Sequence, residues 1–140
     1  MNVQALDRLV GTWEVSGGAT GTVIYEWMDG GFFLVQRVRL EQYGQQVTGV
    51  EMIGHERPFG AEPSAEVRSR FYSSTGDTLD YVYELDGDDL TIWAGERGSP
   101  AHYRGRIAAD EDSASGSWTY PGGGGYDSTM TRVAPEGRKR

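Results

Sequence analysis

The chain of 140 residues contains no cysteine and only two histidines, His55 and His102. The missing cysteine excludes disulfides, thiolate-held metals, iron–sulfur clusters and cysteine nucleophiles together. Two imidazoles offer little for a histidine-based metal site, so no metal is expected. No apolar run approaches the ~18 residues that a membrane-crossing helix needs. Basic residues are also in short supply, 13 against 21 acidic ones for a formal charge of -8. Such a chain lacks the basic face of a nucleic-acid binder. Met1 to Ala5 show neither the charged nor the apolar region of a signal peptide, and a cytoplasmic protein is expected. The length suits one domain by the usual prior of roughly 100 to 200 residues.

What the chain has in quantity is glycine, 21 residues, and an alternating hydrophobic pattern. Glycine or Asp-Gly punctuates that period-2 pattern at short intervals, as in an all-β sandwich or barrel. One segment differs: Val3, Leu6, Leu9 and Val10 recur at helical spacing, predicting a short amphipathic helix over 2–10 stopped by Gly11. Strands are predicted at 11–16, 21–28, 31–41, 46–55, 65–74, 78–85, 89–96, 100–108, 113–120 and 125–133. Their connections are short, such as Asp86-Gly87-Asp88, and short turns join antiparallel neighbours. Glu56 to Ser64, with Pro58 and Pro63, is the one longer connection and reads as a rim loop. Pro121-Gly122-Gly123-Gly124-Gly125 has no helix after it, so it reads as a hairpin and not as a phosphate cradle. The expected fold is all-β: a ten-stranded antiparallel up-and-down β-barrel over 1–133, closed at one end by the N-terminal helix, with a basic flexible tail at 134–140.

Alternate residues of a barrel strand face the lumen, and charges assign the parity. Glu26 turns Val23, Tyr25 and Trp27 inward. Arg37 and Arg39 leave Phe32, Leu34, Gln36, Val38 and Leu40 inside. Arg68 and Arg70 turn Val67, Ser69 and Phe71 inward, and Asp80 and Glu84 do the same for Leu79, Tyr81, Tyr83 and Leu85. Arg104 and Arg106 go outward with His102, leaving Tyr103 and Ile107 inside, and Trp118 and Tyr120 follow. The strands at 46–55 and 89–96 leave both parities open: Val50 and Met52 against Val47, Glu51, Ile53 and His55, and Leu90, Ile92 and Ala94 against Thr91 and Trp93. The external arginines are expected to pair with Asp80 and Glu84 as a solvated face. The interior so drawn is rich in tyrosine and tryptophan, whose buried polar atoms need partners. A lumen that takes a ligand supplies them; a filled barrel with its hydroxyls at the rim is the plainer alternative.

Gly11-Thr12-Trp13, directly after the short helix, resembles the G-x-W signature of the calycin superfamily. In that superfamily the tryptophan closes the barrel floor and an arginine from the last strand packs across it. Arg132 stands at the corresponding place, with inward parity and a reason to face inward, since its guanidinium can stack on an indole. Strand count and length resemble the ten-stranded fatty-acid-binding and nitrobindin-like branch. Leu9-Val10-Gly11-Thr12-Trp13, Gly30-Gly31-Phe32 and Trp118 before a glycine run are similar to bacterial uncharacterised lipocalin-like proteins. The resemblance implies a barrel that binds a small, largely apolar molecule. Nitrobindins hold haem on one histidine, and here the sequence departs from them: their Tyr-Pro-Thr stretch is missing, His102 has outward parity and His55 lies at a strand end. No cofactor is expected, and haem stays a minor alternative.

His55-Glu56-Arg57-Pro58-Phe59 begins like the zinc signature H-E-x-x-H, but Phe59 replaces the second histidine and Pro58 breaks the required helix. No G-x-S-x-G elbow occurs. The leading expectation is therefore non-covalent binding of a small hydrophobic or aromatic molecule by Tyr25, Trp27, Gln36, Tyr81, Tyr83, Tyr103, Trp118 and Tyr120, in a monomer or homodimer. The alternative is a small-molecule enzyme of isomerase, cyclase or hydrolase type. Glu51 or His55 would move the proton, the two projecting to one side of a strand about 13 Å apart, and burial would raise the Glu51 pKa toward that of a general base.

Overall fold

A computed structural model describes residues 1–134. Ten strands follow an N-terminal helix (Val3–Leu9): β1 (Gly11–Gly17), β2 (Thr20–Trp27), β3 (Phe33–Gln42), β4 (Gln45–Gly54), β5 (Val67–Ser73), β6 (Thr78–Asp86), β7 (Asp89–Ala94), β8 (His102–Ile107), β9 (Ser113–Thr119) and β10 (Tyr126–Arg132). Each strand pairs antiparallel with its sequence neighbours, and β1 pairs with β10, so the sheet closes into a ten-stranded up-and-down barrel. Closure leaves no unpaired edge. The tail expected at 134–140 lies, beyond Ala134, outside the described residues.

The helix is of the 3-10 type. The period of three explains it: Val3, Leu6 and Leu9 are all buried, and residues three apart lie above one another in a 3-10 helix. Asn2 caps the start by accepting the Gln4 N–H, and Val10 ends it with its N–H donated to the Asp7 carbonyl. Gly11 follows with φ +131°, and an added Cβ there would lie 2.5 Å from an Arg132 nitrogen. The glycine thus serves both the backbone turn and the passage of the arginine.

Because strands alternate direction, one barrel end gathers the helix and the turns β2–β3, β4–β5, β6–β7 and β8–β9; the other gathers the remaining turns. We call these the floor and the mouth. At the floor Arg132 lies 4.2 Å above the Trp13 ring and donates to the carbonyls of Val10, Arg8 and Glu111 at 2.5, 2.7 and 3.1 Å. Trp13 is fully buried and donates its indole N–H to the Leu9 carbonyl. Arg8 joins the helix to the β6–β7 and β8–β9 turns through the Gly87 carbonyl, Asp88 and Glu111.

Register settles both open parities. Glu51 pairs with Gln36 and Phe71, and Ile53 with Leu34 and Ser69, so the odd residues of β4 face inward. Leu90, Ile92 and Ala94 pair with Leu85, Tyr83 and Tyr81 and also face inward, leaving Trp93 outside. Two expectations need correction. Phe32 precedes β3 in the turn and is 70% exposed, since the strand begins one residue later. Leu79 has inward parity but is exposed, because it sits at the mouth end of β6, above the level where side chains meet. Outside, Arg70 pairs with Asp80, Arg68 with Glu66, Arg37 with Glu26 and Arg106 with Asp89. Glu84 is taken by Arg97 and not by one of the arginines expected to hold it. The outer wall also hides apolar side chains: Val82 is fully buried beside its partner Trp93, whose ring carries Arg97 at 5.1 Å.

Candidate functional site

Midway up the lumen stands Glu51, 5% exposed, an acid among aromatic rings. β4 turns it inward opposite Gln36 of β3 and Phe71 of β5. Tyr83 of β6 donates its hydroxyl to Glu51 Oε2 at 2.5 Å. The Ser69 hydroxyl on β5 faces the same carboxyl and favours its charged form, yet it makes no hydrogen bond of ordinary geometry. It is the only buried side-chain polar atom among the described residues left without a partner. Beside this pair, Gln36 donates its amide to the Tyr25 hydroxyl at 2.6 Å.

Burial pushes the Glu51 pKa above the usual carboxylate value, with the Ser69 and Tyr83 hydroxyls pulling the other way. The acid in turn acts on the phenols. Tyr25, Tyr81 and Tyr83 all have raised pKa values, first through burial and then through the Glu51 charge. Tyr103 is pushed up to about 12 by burial. All four phenols therefore stay protonated at neutral pH and can donate hydrogen bonds.

Toward the mouth the packing loosens. Tyr81, Trp118, Met130, Val38 and Leu40 pack against the core while remaining partly exposed. Trp118 is the hub: its ring lies 5.9 Å from Tyr81, 5.6 Å from Tyr103 and 5.9 Å from Tyr120, the last stacked nearly parallel. Tyr103 lies flat across two paired glycines, for a Cβ at Gly105 or Gly116 would meet its phenol ring at under 3 Å. Tyr120 is a rim residue, 36% exposed. Tyr43, in the β3–β4 turn, reaches across to the Gly124 carbonyl at 3.2 Å.

The structure thus brings Tyr25, Gln36, Tyr81, Tyr83, Tyr103, Trp118 and Glu51 together in the lumen and sets two expected residues apart. Trp27 lies at the floor, where its indole N–H donates to Asp7 of the helix at 2.7 Å. His55 is also at the floor. Its Nε2 accepts the Val3 N–H at 3.2 Å and its Nδ1 lies 2.8 Å from the Ser64 carbonyl. A neutral ring with Nδ1 protonated satisfies both contacts and leaves no nitrogen for a substrate. Neither histidine points a free nitrogen into the lumen: His55 is engaged on both sides, and His102 faces outward, paired with Trp93 and Thr119. Among the described residues no group of three or more His, Asp or Glu is placed to hold a metal ion, and no helix is long and apolar enough to cross a membrane.

Ser69 and Tyr126 belong to the site although neither was among the expected ligand contacts. The inward parity of Ser69 was readable, and Tyr126 shares the parity of Arg132; that Ser69 would be orphaned, and that Gln42 and Tyr120 would flank the Tyr126 hydroxyl, was not. A separate groove of about 650 Å³ crosses the outer wall of β2 to β5, edged by Ile24, Arg37, Arg39, Val50 and Tyr72. No family model matches the chain, and no curated protein resembles it significantly in sequence.

Proposed function

We propose that the protein is a calycin-type carrier that binds a small, largely apolar or aromatic molecule in the mouth half of the lumen, with a polar group of the ligand reaching Glu51. The observation that carries this reading is the isolated acid itself. A carboxyl buried away from water is costly unless paired, and a barrel that only needed filling would place an aliphatic side chain there. Around it stand hydroxyls and ring faces, the mixture of apolar area and few polar groups that typifies small-molecule sites. The kinship with calycins rests on the floor, where Arg132 covers Trp13 directly after the helix and Gly11. On this reading the protein is a cytoplasmic monomer or homodimer that holds no cofactor.

The neutral fluorophore N-phenyl-1-naphthylamine tests the reading. Its emission should rise saturably at one molecule per chain, and Met130→Trp, which fills the lumen from β10, should abolish the rise. Ile24→Glu, on the outer groove, should leave it unchanged. No saturable rise, or a rise removed by Ile24→Glu and not by Met130→Trp, would refute the lumen as the site.

A second reading rests on the burial of Glu51 against the Tyr83 hydroxyl, with its pKa raised by that burial in the direction that favours a general base. It makes the same lumen the seat of an isomerase-, cyclase- or hydrolase-type reaction. Turnover that follows one ionisation and vanishes in Glu51→Gln would establish it.

A further inference from the structure

We infer that the lumen is built for a small amine in its protonated, cationic form, the ammonium lying between Glu51, Ser69 and the surrounding aromatic faces, with an aromatic or aliphatic body pointing to the mouth. The inference rests on the proposed lumenal binding and specifies the ligand's charge.

Glu51 is an anion-forming group with no cation of its own. The influences on it are burial and two hydroxyls, with no arginine or lysine among them. The inward-facing Arg132 is committed to the floor, to Trp13 and three backbone carbonyls. One carboxylate oxygen accepts the Tyr83 hydrogen bond, which leaves Oε1 and the unpartnered Ser69 hydroxyl as acceptors. An ammonium brings three donors and no acceptor. It satisfies Oε1 and Ser69 Oγ, and its charge compensates the acid.

The walls match a cation as well. Tyr25, Tyr81 and Tyr83 all stand within the field of the Glu51 charge, and Tyr81 leads by ring contact to Trp118 and Tyr103. Aromatic faces attract cations through their quadrupole, more strongly once desolvated. An anionic ligand would meet the like charge of Glu51. A neutral alcohol would hydrogen-bond there and leave the charge uncompensated. Tyr81 lies two residues nearer the mouth than Tyr83 on the same strand, and it is half-buried, so a ligand body continues past it toward Trp118.

Three probes of one skeleton test the inference by calorimetry at pH 7.5: 2-phenylethylamine, 2-phenylethanol and 3-phenylpropionate. The amine should bind at least about tenfold more tightly than the alcohol, the step that 1.4 kcal/mol of charge pairing gives, and the acid most weakly. Glu51→Gln should remove that advantage and leave the alcohol unchanged, and Ser69→Ala should weaken the amine alone, by a few-fold. A thermal melt confirms that each variant is folded. If Glu51 is protonated in the empty lumen, amine binding expels that proton, and the heat should vary with the ionisation enthalpy of the buffer. The groups facing that proton are Tyr25 from β2, Gln36 from β3, Ser69 from β5 and Tyr81 and Tyr83 from β6. Equal or better binding of the alcohol, or an amine affinity that survives Glu51→Gln, overturns the inference. Alcohol binding that Met130→Trp blocks would then still uphold lumenal binding, whereas failure of all three probes ends both.

Discussion

The floor and the mouth of this barrel are made from the same ten strands and are finished in opposite ways. At the floor no buried side-chain polar atom among the described residues lacks a partner. Arg132 spans three carbonyls, Arg8 ties two turns to the helix, His55 bridges Val3 to Ser64, and Trp27 holds Asp7. At mid-lumen and above, the partners run out: Ser69 has none, Glu51 has the Tyr83 phenol instead of a cation, and rings stay partly exposed. The difference teaches where stability and function separate. Buried polar groups are stabilising when fully satisfied and costly when partly so, and the incomplete half is the one that the proposed ligand would complete.

Trp13→Ala attacks the satisfied end and should have the largest effect. It removes a fully buried indole and its hydrogen bond to Leu9, costing about 3–5 kcal/mol by the usual range for buried aromatics, read as a fall in urea midpoint. A loss under 1 kcal/mol would mean that Arg132 and the helix close the floor unaided.

Tyr83→Phe tests the middle. It strips Glu51 of its donor and should cost about 1–3 kcal/mol, the penalty for a buried acceptor left unmade. The same denaturation experiment reads it, and the loss should be smaller at acid pH, where the carboxyl is neutral.

Glu51→Gln should work in the opposite direction. The folded-state pKa of Glu51 is raised, so the native chain binds this proton more tightly than the unfolded chain does. Stability from the proton is complete below the unfolded carboxylate value and is lost as pH rises through the folded one. Glutamine has no such loss, so the variant should match the wild type in acid and exceed it above the transition. Midpoints across a pH series decide it; a gap that does not change with pH would show that Glu51 does not titrate in the fold.

Tyr120→Ser touches the rim and should change stability by no more than about 0.5 kcal/mol, as surface replacements do. It removes the ring stacked on Trp118, and a matching shift in tryptophan emission should report it. A large loss of stability would make the mouth as structural as the floor.

Much of this contrast was legible in the alternation of charge and ring along each strand. Arg37, Arg39, Arg68 and Arg70 cannot share a dry interior, so their neighbours had to face the lumen. Local parity failed where the boundary of a strand decides burial, as at Phe32 and Leu79. It was silent at β4, where neither face carries enough charge to exclude the other. It also misses depth: Val82 has outward parity and is nonetheless fully buried, because Trp93 and Arg97 build up the outer wall at that point.

By itself the sequence determined the number of strands, their order and the plug at one end, because turn chemistry and period-2 patterning act over a few residues; the pairing of Trp13 with Arg132 was implied by the calycin resemblance. Only the tertiary structure decided that Glu51 faces inward, that Tyr83 holds it, that Ser69 is left unpartnered beside it, and that His55 is bound to the backbone on both sides. Those facts depend on register and closure, which set strands tens of residues apart side by side, and no local pattern encodes them.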